Sequence, residues 1–235
     1  MRAETFLWIH CNFGVNLKTF LSLKNSHSKI LPPQFANQDV RYSEALVEHF
    51  LQEFTKEGDV VLDPFMGFGT TLLVAERMKR TCYGVEFDSK RHQYVQSILQ
   101  YPHLALHGDS RALNSLALPA LDFSITSPPY MGKHHKENPF TAYTTLLDPD
   151  GGGYKAYLSD LTKIYGQLAD KLKPSSRAVL EVSNLKHEDG TVTTLAWDIA
   201  QAVSAVLNFE GEIVMSWPDD CGYGYDHSYC LVFRK

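Results

Sequence analysis

One stretch of this chain restricts its fold more than any other. Asp59-Val60-Val61-Leu62 is a short apolar run of strand type. It ends in Asp63-Pro64-Phe65-Met66-Gly67-Phe68-Gly69-Thr70-Thr71, after which Leu72, Leu73, Ala75, Glu76 and Met78 follow at helical spacing. The pattern is strand, glycine-rich turn, helix. Glycine has no Cβ, so the backbone can turn sharply there and approach a ligand closely at a helix start. The alternation then repeats. Strands are predicted over 82–87, 104–107, 123–126 and 178–182, with helices over 89–99, 154–172 and 193–207 and an earlier one over 43–56 that Ser43 caps. Two last strands, 212–217 and 228–233, have no helix between them. Strands alternating with helices imply right-handed crossovers and a mainly parallel sheet covered on both faces, with the final pair antiparallel at one edge.

Length and charge narrow the setting. With 235 residues, one sizeable core is expected, namely a domain over 31–235 preceded by an extension over 1–30. An apolar fraction of 44% against 21% charged excludes disorder and collagen-like structure. The net charge of −5 excludes clinging to nucleic acid by bulk electrostatics, so any such contact needs a local patch. Cys11, Cys82, Cys221 and Cys230 are scattered, which suggests neither a zinc site nor a disulfide framework and makes the reducing cytoplasm the expected compartment. The apolar opening Phe6-Leu7-Trp8-Ile9 is too short for a signal peptide or a membrane span.

In open α/β sheets a ligand sits beyond the carboxyl ends of the strands, so the residues there matter most. The turn at Gly67 and Gly69 fits neither a dinucleotide fingerprint, whose third glycine would fall at Leu72, nor a P-loop, since no Gly-Lys-Ser/Thr follows. Glu86 lies at the next strand tip, seventeen residues past Gly69. It can accept from the two hydroxyls of a ribose, or it can cap the next helix together with Asp88. Asp109, after the third strand, is an acceptor for an adenine amino group or a turn residue. The fourth strand runs into Ser127-Pro128-Pro129-Tyr130. The prolines fix the backbone and remove two N–H donors, so a hydroxyl, a rigid carbonyl and an aromatic ring come together. Those groups can grip a planar amine, its hydrogens on the oxygens and its face on the ring. The bland alternative is a stiff loop with Tyr130 packed on the core.

Taken together, Asp-Pro-Phe-x-Gly-x-Gly-Thr-Thr, the acidic tip, Gly108-Asp109-Ser110 and Thr126-Ser-Pro-Pro-Tyr130 resemble the S-adenosylmethionine-dependent DNA amino-methyltransferases that act on cytosine N4 or adenine N6. The segment from Arg41-Tyr42-Ser43 to Leu62 resembles that family's lead-in, and the resemblance covers about residues 37–235. It implies a Rossmann-like class I methyltransferase fold, α/β, with a seven-stranded sheet whose last strand is antiparallel. It implies S-adenosyl-L-methionine as methyl donor, DNA as partner and no membrane. Asp63, Pro64, Phe65, Gly67 and Gly69 would surround the donor's methionine end, with Thr70 and Thr71 beginning the helix. Glu86 would hold the ribose, and Asp109 with Phe87 and Ser110 would frame the adenine. Ser127 and the Pro128 carbonyl would receive the amine's hydrogens, with Pro129 stiffening the turn and Tyr130 stacking on the flipped base. Serine at the first of these positions leans toward cytosine N4. The transfer would be a direct displacement with the proton lost to water.

The chain departs from that family's sequence-specific members in leaving no room for a large target-recognition region, which a separate partner would then supply. The sizeable insert is 131–153. Lys133, His134, His135 and Lys136 in it are read as phosphate contacts, and Gly151-Gly152-Gly153 as a hinge. Tyr223-Gly-Tyr225-Asp226-His227 either lines the cleft or packs outward. Methylation of RNA bases, and a nucleic-acid-binding relative without activity, are the alternative readings.

Overall fold

The computed structural model describes residues 18–131, 139–140, 153–217 and 225–235. The short β1 (Phe20–Ser22) precedes α1 (Glu44–Phe54), where the Ser43 side chain accepts from the Ala45 N–H and caps the helix. Then come β2 (Val60–Asp63), α2 (Thr70–Arg77), β3 (Thr81–Glu86), α3 (Ser89–Ile98), β4 (Ala105–His107) and β5 (Leu121–Thr126). After the insert follow α4 (Tyr154–Lys171), β6 (Leu172–Val182), a hairpin of β7 (Leu185–Lys186) and β8 (Val192–Thr193), α5 (Leu195–Val203), β9 (Asn208–Ser216) and β10 (His227–Arg234).

The main sheet has the order β1-β9-β10-β6-β5-β2-β3-β4. Only β10 runs against its neighbours, antiparallel to both β6 and β9. Helices cover both faces. Tyr157, Leu161, Ile164, Tyr165 and Leu168 of α4 pack with α5 on one face, so α4 is a core helix. Leu46, Val47, Phe50 and Leu51 of α1, with α2 and Val95 of α3, fill the other. No described helix is long and apolar enough to cross a membrane.

The structure corrects the sequence expectation at three places. The sheet has eight strands rather than seven, because β1 adds itself in parallel to β9. The described part of the 1–30 extension is therefore woven into the domain. Leu21 and Leu23 pack on the core and the Ser28 hydroxyl donates to Glu44 Oε1 at 2.6 Å. The antiparallel final pair also stands inside the sheet, not at its edge. Lastly, β6 begins six residues earlier than predicted, despite Pro174. Leu172 pairs with Leu121, the register slips, and pairing resumes at Arg177 and Phe123, so the proline sits in the irregular part where no ladder bond is required.

Candidate functional site

Asp63 closes β2 and is completely buried. Its carboxylate accepts from the Thr126 hydroxyl at 2.6 Å, the Phe65 N–H at 3.0 Å, the Thr71 hydroxyl and, at 3.4 Å, the Tyr42 hydroxyl. Burial pushes this carboxyl above the usual carboxylate range and the donors pull it back. One side chain thus ties together the lead-in to α1, the glycine loop, the first turn of α2 and the tip of β5. The loop then turns at Gly67 (φ +51°) and Gly69 (φ +82°). A Cβ at Gly69 would stand 2.9 Å from the Val95 side chain, so the left-handed turn and the close seat against α3 both call for glycine.

Glu86 ends β3 and is bound at both oxygens. Oε2 accepts from Gly67 N–H at 3.0 Å and Oε1 from Asp88 N–H at 2.8 Å. Burial raises its carboxyl as well, and these backbone donors oppose the shift. A carboxylate accepts about four hydrogen bonds, so two sites remain open to a ligand. Asp88, rather than Glu86, caps α3, accepting from Lys90 and Arg91 N–H. Beyond β4, Asp109 is paired with Arg111 at 2.7 Å, and the Ser110 hydroxyl donates to the Pro64 carbonyl, locking the glycine loop from below.

The second half of the site grows from β5, which pairs in parallel with β2, Val61 with Phe123 and Leu62 with Ser124. That register sets Ser127-Pro128-Pro129-Tyr130 beside the glycine loop. The Tyr157 hydroxyl on α4 donates to the Pro129 carbonyl at 2.8 Å. The Tyr130 hydroxyl accepts from Ser183 N–H at 3.0 Å and donates to Glu181 Oε2 at 3.4 Å, which fixes its ring over the turn. Phe65, from the glycine loop, and Tyr157 both stack on Phe140, at 5.5 and 5.4 Å between centroids.

Both halves open into one cleft of about 680 Å³. Pro64, Phe65, Gly67, Thr70, Glu86, Phe87, Asp109, Ser110 and all four residues of the tetrapeptide line it. Asp63, Gly69 and Thr71 are not among its walls and instead brace the floor from beneath. Glu181, Lys186, His187, Trp217 and Arg91, which no sequence motif marks, also line it. Only Glu181 left a trace, as a charged residue inside an otherwise apolar strand. Lys186 and His187 lie on or beside a two-residue hairpin strand with no periodicity to read. Tyr225 sits under the Lys186 ammonium at 4.2 Å, and His227 meets the rings of Tyr225 and Tyr229 at 5.3 Å each. Lys133, His134, His135, Lys136, Gly151, Gly152, Cys11, Cys221, Tyr223 and the Phe6–Ile9 stretch lie outside the described residues. Among the described residues no three metal-ligating side chains cluster.

Comparison with known proteins gives partial matches in sequence and a likeness in fold. Residues 8–97 match the N6/N4 family described as DNA methylase. The chain is 37% identical over 59 residues to Type II methyltransferase M.BglII from Bacillus subtilis, covering 25% of this chain and 16% of that protein. It is 39% identical over 66 residues to Type II methyltransferase M.HindIII from Haemophilus influenzae, covering 26% and 21%. These matches thus span about a fifth or less of the relatives' own lengths. Among solved structures, TrmN from Thermus thermophilus superposes with a TM-score of 0.56 at 20% identity, over 86% of this chain and 52% of that one. A methyltransferase from Pyrococcus furiosus gives 0.54 at 14% identity, over 82% and 83%. At such identities the likeness is one of fold, that of the class I methyltransferases.

Proposed function

We propose that this chain, related over residues 8–97 to the N6/N4 DNA methylase family, transfers a methyl group from S-adenosylmethionine to the exocyclic amino group of a DNA base, cytosine N4 in preference to adenine N6. The observation that supports it most is the shared cleft, with Phe65, Gly67 and Glu86 on one side and Ser127 and Tyr130 on the other.

The residues suit such a donor. Glu86 retains acceptor capacity toward a ribose, and the hollow continues past Phe87 to Gly108 and Asp109, where a nucleoside base has walls on both sides. Phe65 and Gly67 leave room for the remaining chain. When bound, the donor supplies an electrophilic methyl carbon, and the protein's task is to place a nitrogen in line with it. An exocyclic amine is a weak nucleophile because its lone pair is conjugated with the ring. Acceptors at Ser127 Oγ and the Pro128 carbonyl draw its hydrogens out of the ring plane and free that pair. Tyr130, held at its hydroxyl, offers a fixed face for the extruded base. Fixing both reactants in one cavity supplies much of the acceleration. Serine at the first tetrapeptide position is what favours cytosine. The insert 131–153 is assigned to phosphate contact, and target selection to a separate partner. The reducing cytoplasm is the compartment we infer, a reading supported by the scattered cysteines, of which Cys82 and Cys230 are buried free thiols.

Incubation of the protein with labelled methyl donor and separate DNA and RNA pools, followed by nucleoside analysis, tests this reading. Label in N4-methylcytosine from DNA is the expected result. Label in N6-methyladenine corrects the base alone, label confined to RNA overturns the substrate, and no label with either pool overturns the activity.

A further inference from the structure

The methyl-transfer reading leaves unused the most deeply buried acid of the cleft. Glu181 is the second-last residue of β6, pairs in register with Cys230 of β10 and is 7% exposed. An ionised carboxylate there loses most of its hydration, and among the described residues no lysine or arginine pairs with it, so hydrogen bonds must offset the cost. One such bond is in place: the Tyr130 hydroxyl donates to it at 3.4 Å. The β5–β6 register, in which Thr126 pairs with Leu180, sets Ser127 beside it, and Ser228 stands near it on β10.

What lies behind these groups limits where their protons can go. The Trp217 indole N–H donates to Ser228 Oγ at 3.0 Å, which leaves the Ser228 proton for another acceptor. The Ser183 N–H donates to the Tyr130 hydroxyl at 3.0 Å with the same consequence. The ionised carboxylate beside Ser127 can only accept, so a hydrogen bond between the two has Ser127 as donor and leaves the Ser127 lone pairs for a donor in the cleft.

We propose that Glu181 is the positioning residue of the transfer step: it sets the polarity of Ser127 and, through Ser127, takes the proton that the methylated amine must lose. This inference rests on the reading of the cleft as an amino-methyltransferase site. It replaces loss of the proton to water by a route inside the protein. The proton balance closes. The nitrogen gains a methyl group and a positive charge as the donor's carbon–sulfur bond breaks and its electron pair stays on sulfur. An N–H proton passes to Ser127 Oγ while the proton already on Ser127 passes to a Glu181 oxygen. The base is left neutral, Ser127 regains its hydroxyl and Glu181 becomes a neutral acid, which returns its proton to solvent once product departs. Burial raises the Glu181 carboxyl above the ordinary carboxylate range, in the sense that suits a proton acceptor. The titratable groups facing it are Tyr130 from the β5 loop and Cys230 from β10, whose thiol is pushed up by burial and by Glu181 itself; Lys186 and His187 line the same cleft.

The test is the pH dependence of kcat for the wild type, Glu181→Gln and Glu181→Asp on DNA, with KM for donor and DNA measured alongside. The step needs the carboxylate ionised, so wild-type kcat should fall as pH drops through the raised Glu181 value. Glu181→Gln should lower kcat about 100-fold or more, leave both KM values within about twofold and abolish that acidic limb. Glu181→Asp should keep the limb at reduced kcat, which a merely structural carboxylate would not require. A wild-type profile without an acidic limb, or a Glu181→Gln enzyme with wild-type kcat and the same limb, overturns the proposal. Glu181→Gln and Glu181→Asp variants that lose donor binding alike, with no change in limb, also overturn it. A wild type inactive on DNA and RNA alike refutes the reading of the cleft itself, whereas an active wild type with an indifferent Glu181→Gln refutes only this inference.

Discussion

At the scale of single residues, a buried acid and a half-buried one divide the labour of the cleft. Asp63 lies outside the cleft and holds its walls from behind through Phe65 and Tyr42, whereas Glu86 lines it and has acceptor capacity to spare. Asp63→Ala would strip acceptors from Thr126, Thr71, Tyr42 and the Phe65 N–H in one step, at a cost of ~3 kcal/mol. For a chain of this size that lowers the melting temperature by roughly 6–12 °C in calorimetry. Asp63→Asn should cost less. The folded-state carboxyl titrates above its unfolded value, so the charged form loses stability as pH rises through that window, and a neutral amide avoids this. Glu86→Gln should weaken donor binding about tenfold by titration calorimetry while the fold persists, because both backbone donors keep an oxygen or water partner. Ser127→Ala should behave in the opposite way, lowering turnover by roughly 100-fold with donor affinity nearly unchanged. Equal loss of donor affinity would contradict the assignment. Much of this was legible in the sequence because motif residues fall at strand tips, and tips are identifiable from apolar runs. What was not legible was the split between floor and wall: Asp63 and Glu86 are both acids at strand ends, and only the neighbouring donors tell them apart. Glu181 escaped notice because its partner Tyr130 lies in the turn after β5, far away in sequence.

At the scale of elements, the glycine-rich loop works because α2 and α3 close over β3 with almost no clearance. Gly84, in the middle of β3, shows how tight this is. A Cβ there would stand 2.6 Å from both Leu72 Cδ1 and Met66 Sδ. Gly84→Ala should therefore cost ~1–3 kcal/mol through overpacking, read as a lower urea midpoint at unchanged m-value. Because Met66 belongs to the loop itself, the same variant should also weaken donor binding. Full donor affinity in Gly84→Ala would mean that the loop is not set from beneath. Helices and central strands could be placed from the sequence since caps such as Ser43 and Asp88 and the 3.6-residue spacing are local signals. The strand β1, the β7–β8 hairpin and the early start of β6 could not. Three residues or fewer show no period, and β6 passes through a proline that ordinarily argues against a strand.

At the scale of the whole molecule, eight strands place every tip the site needs at one end of the sheet, where β2 and β5 are neighbours and β3 and β6 flank them. That adjacency follows from the reversal of strand order after β4, so the cleft is a property of topology more than of any side chain. The net charge of −5 means that attraction to nucleic acid is local, so binding should depend on salt with a shallow slope, reflecting few phosphate contacts. A steep slope would point to a basic surface larger than a local patch. The account stands on a methyl donor and a base amine meeting within one cavity. A crystal structure with S-adenosylhomocysteine and a short DNA duplex measures this most directly. The account predicts the sulfur near Phe65 and Gly67, the ribose on Glu86, and an extruded base on Tyr130 with its amine at Ser127, one methyl width from the sulfur. A nucleoside bound elsewhere on the sheet, or a base seated away from Ser127 with the donor in place, would contradict it.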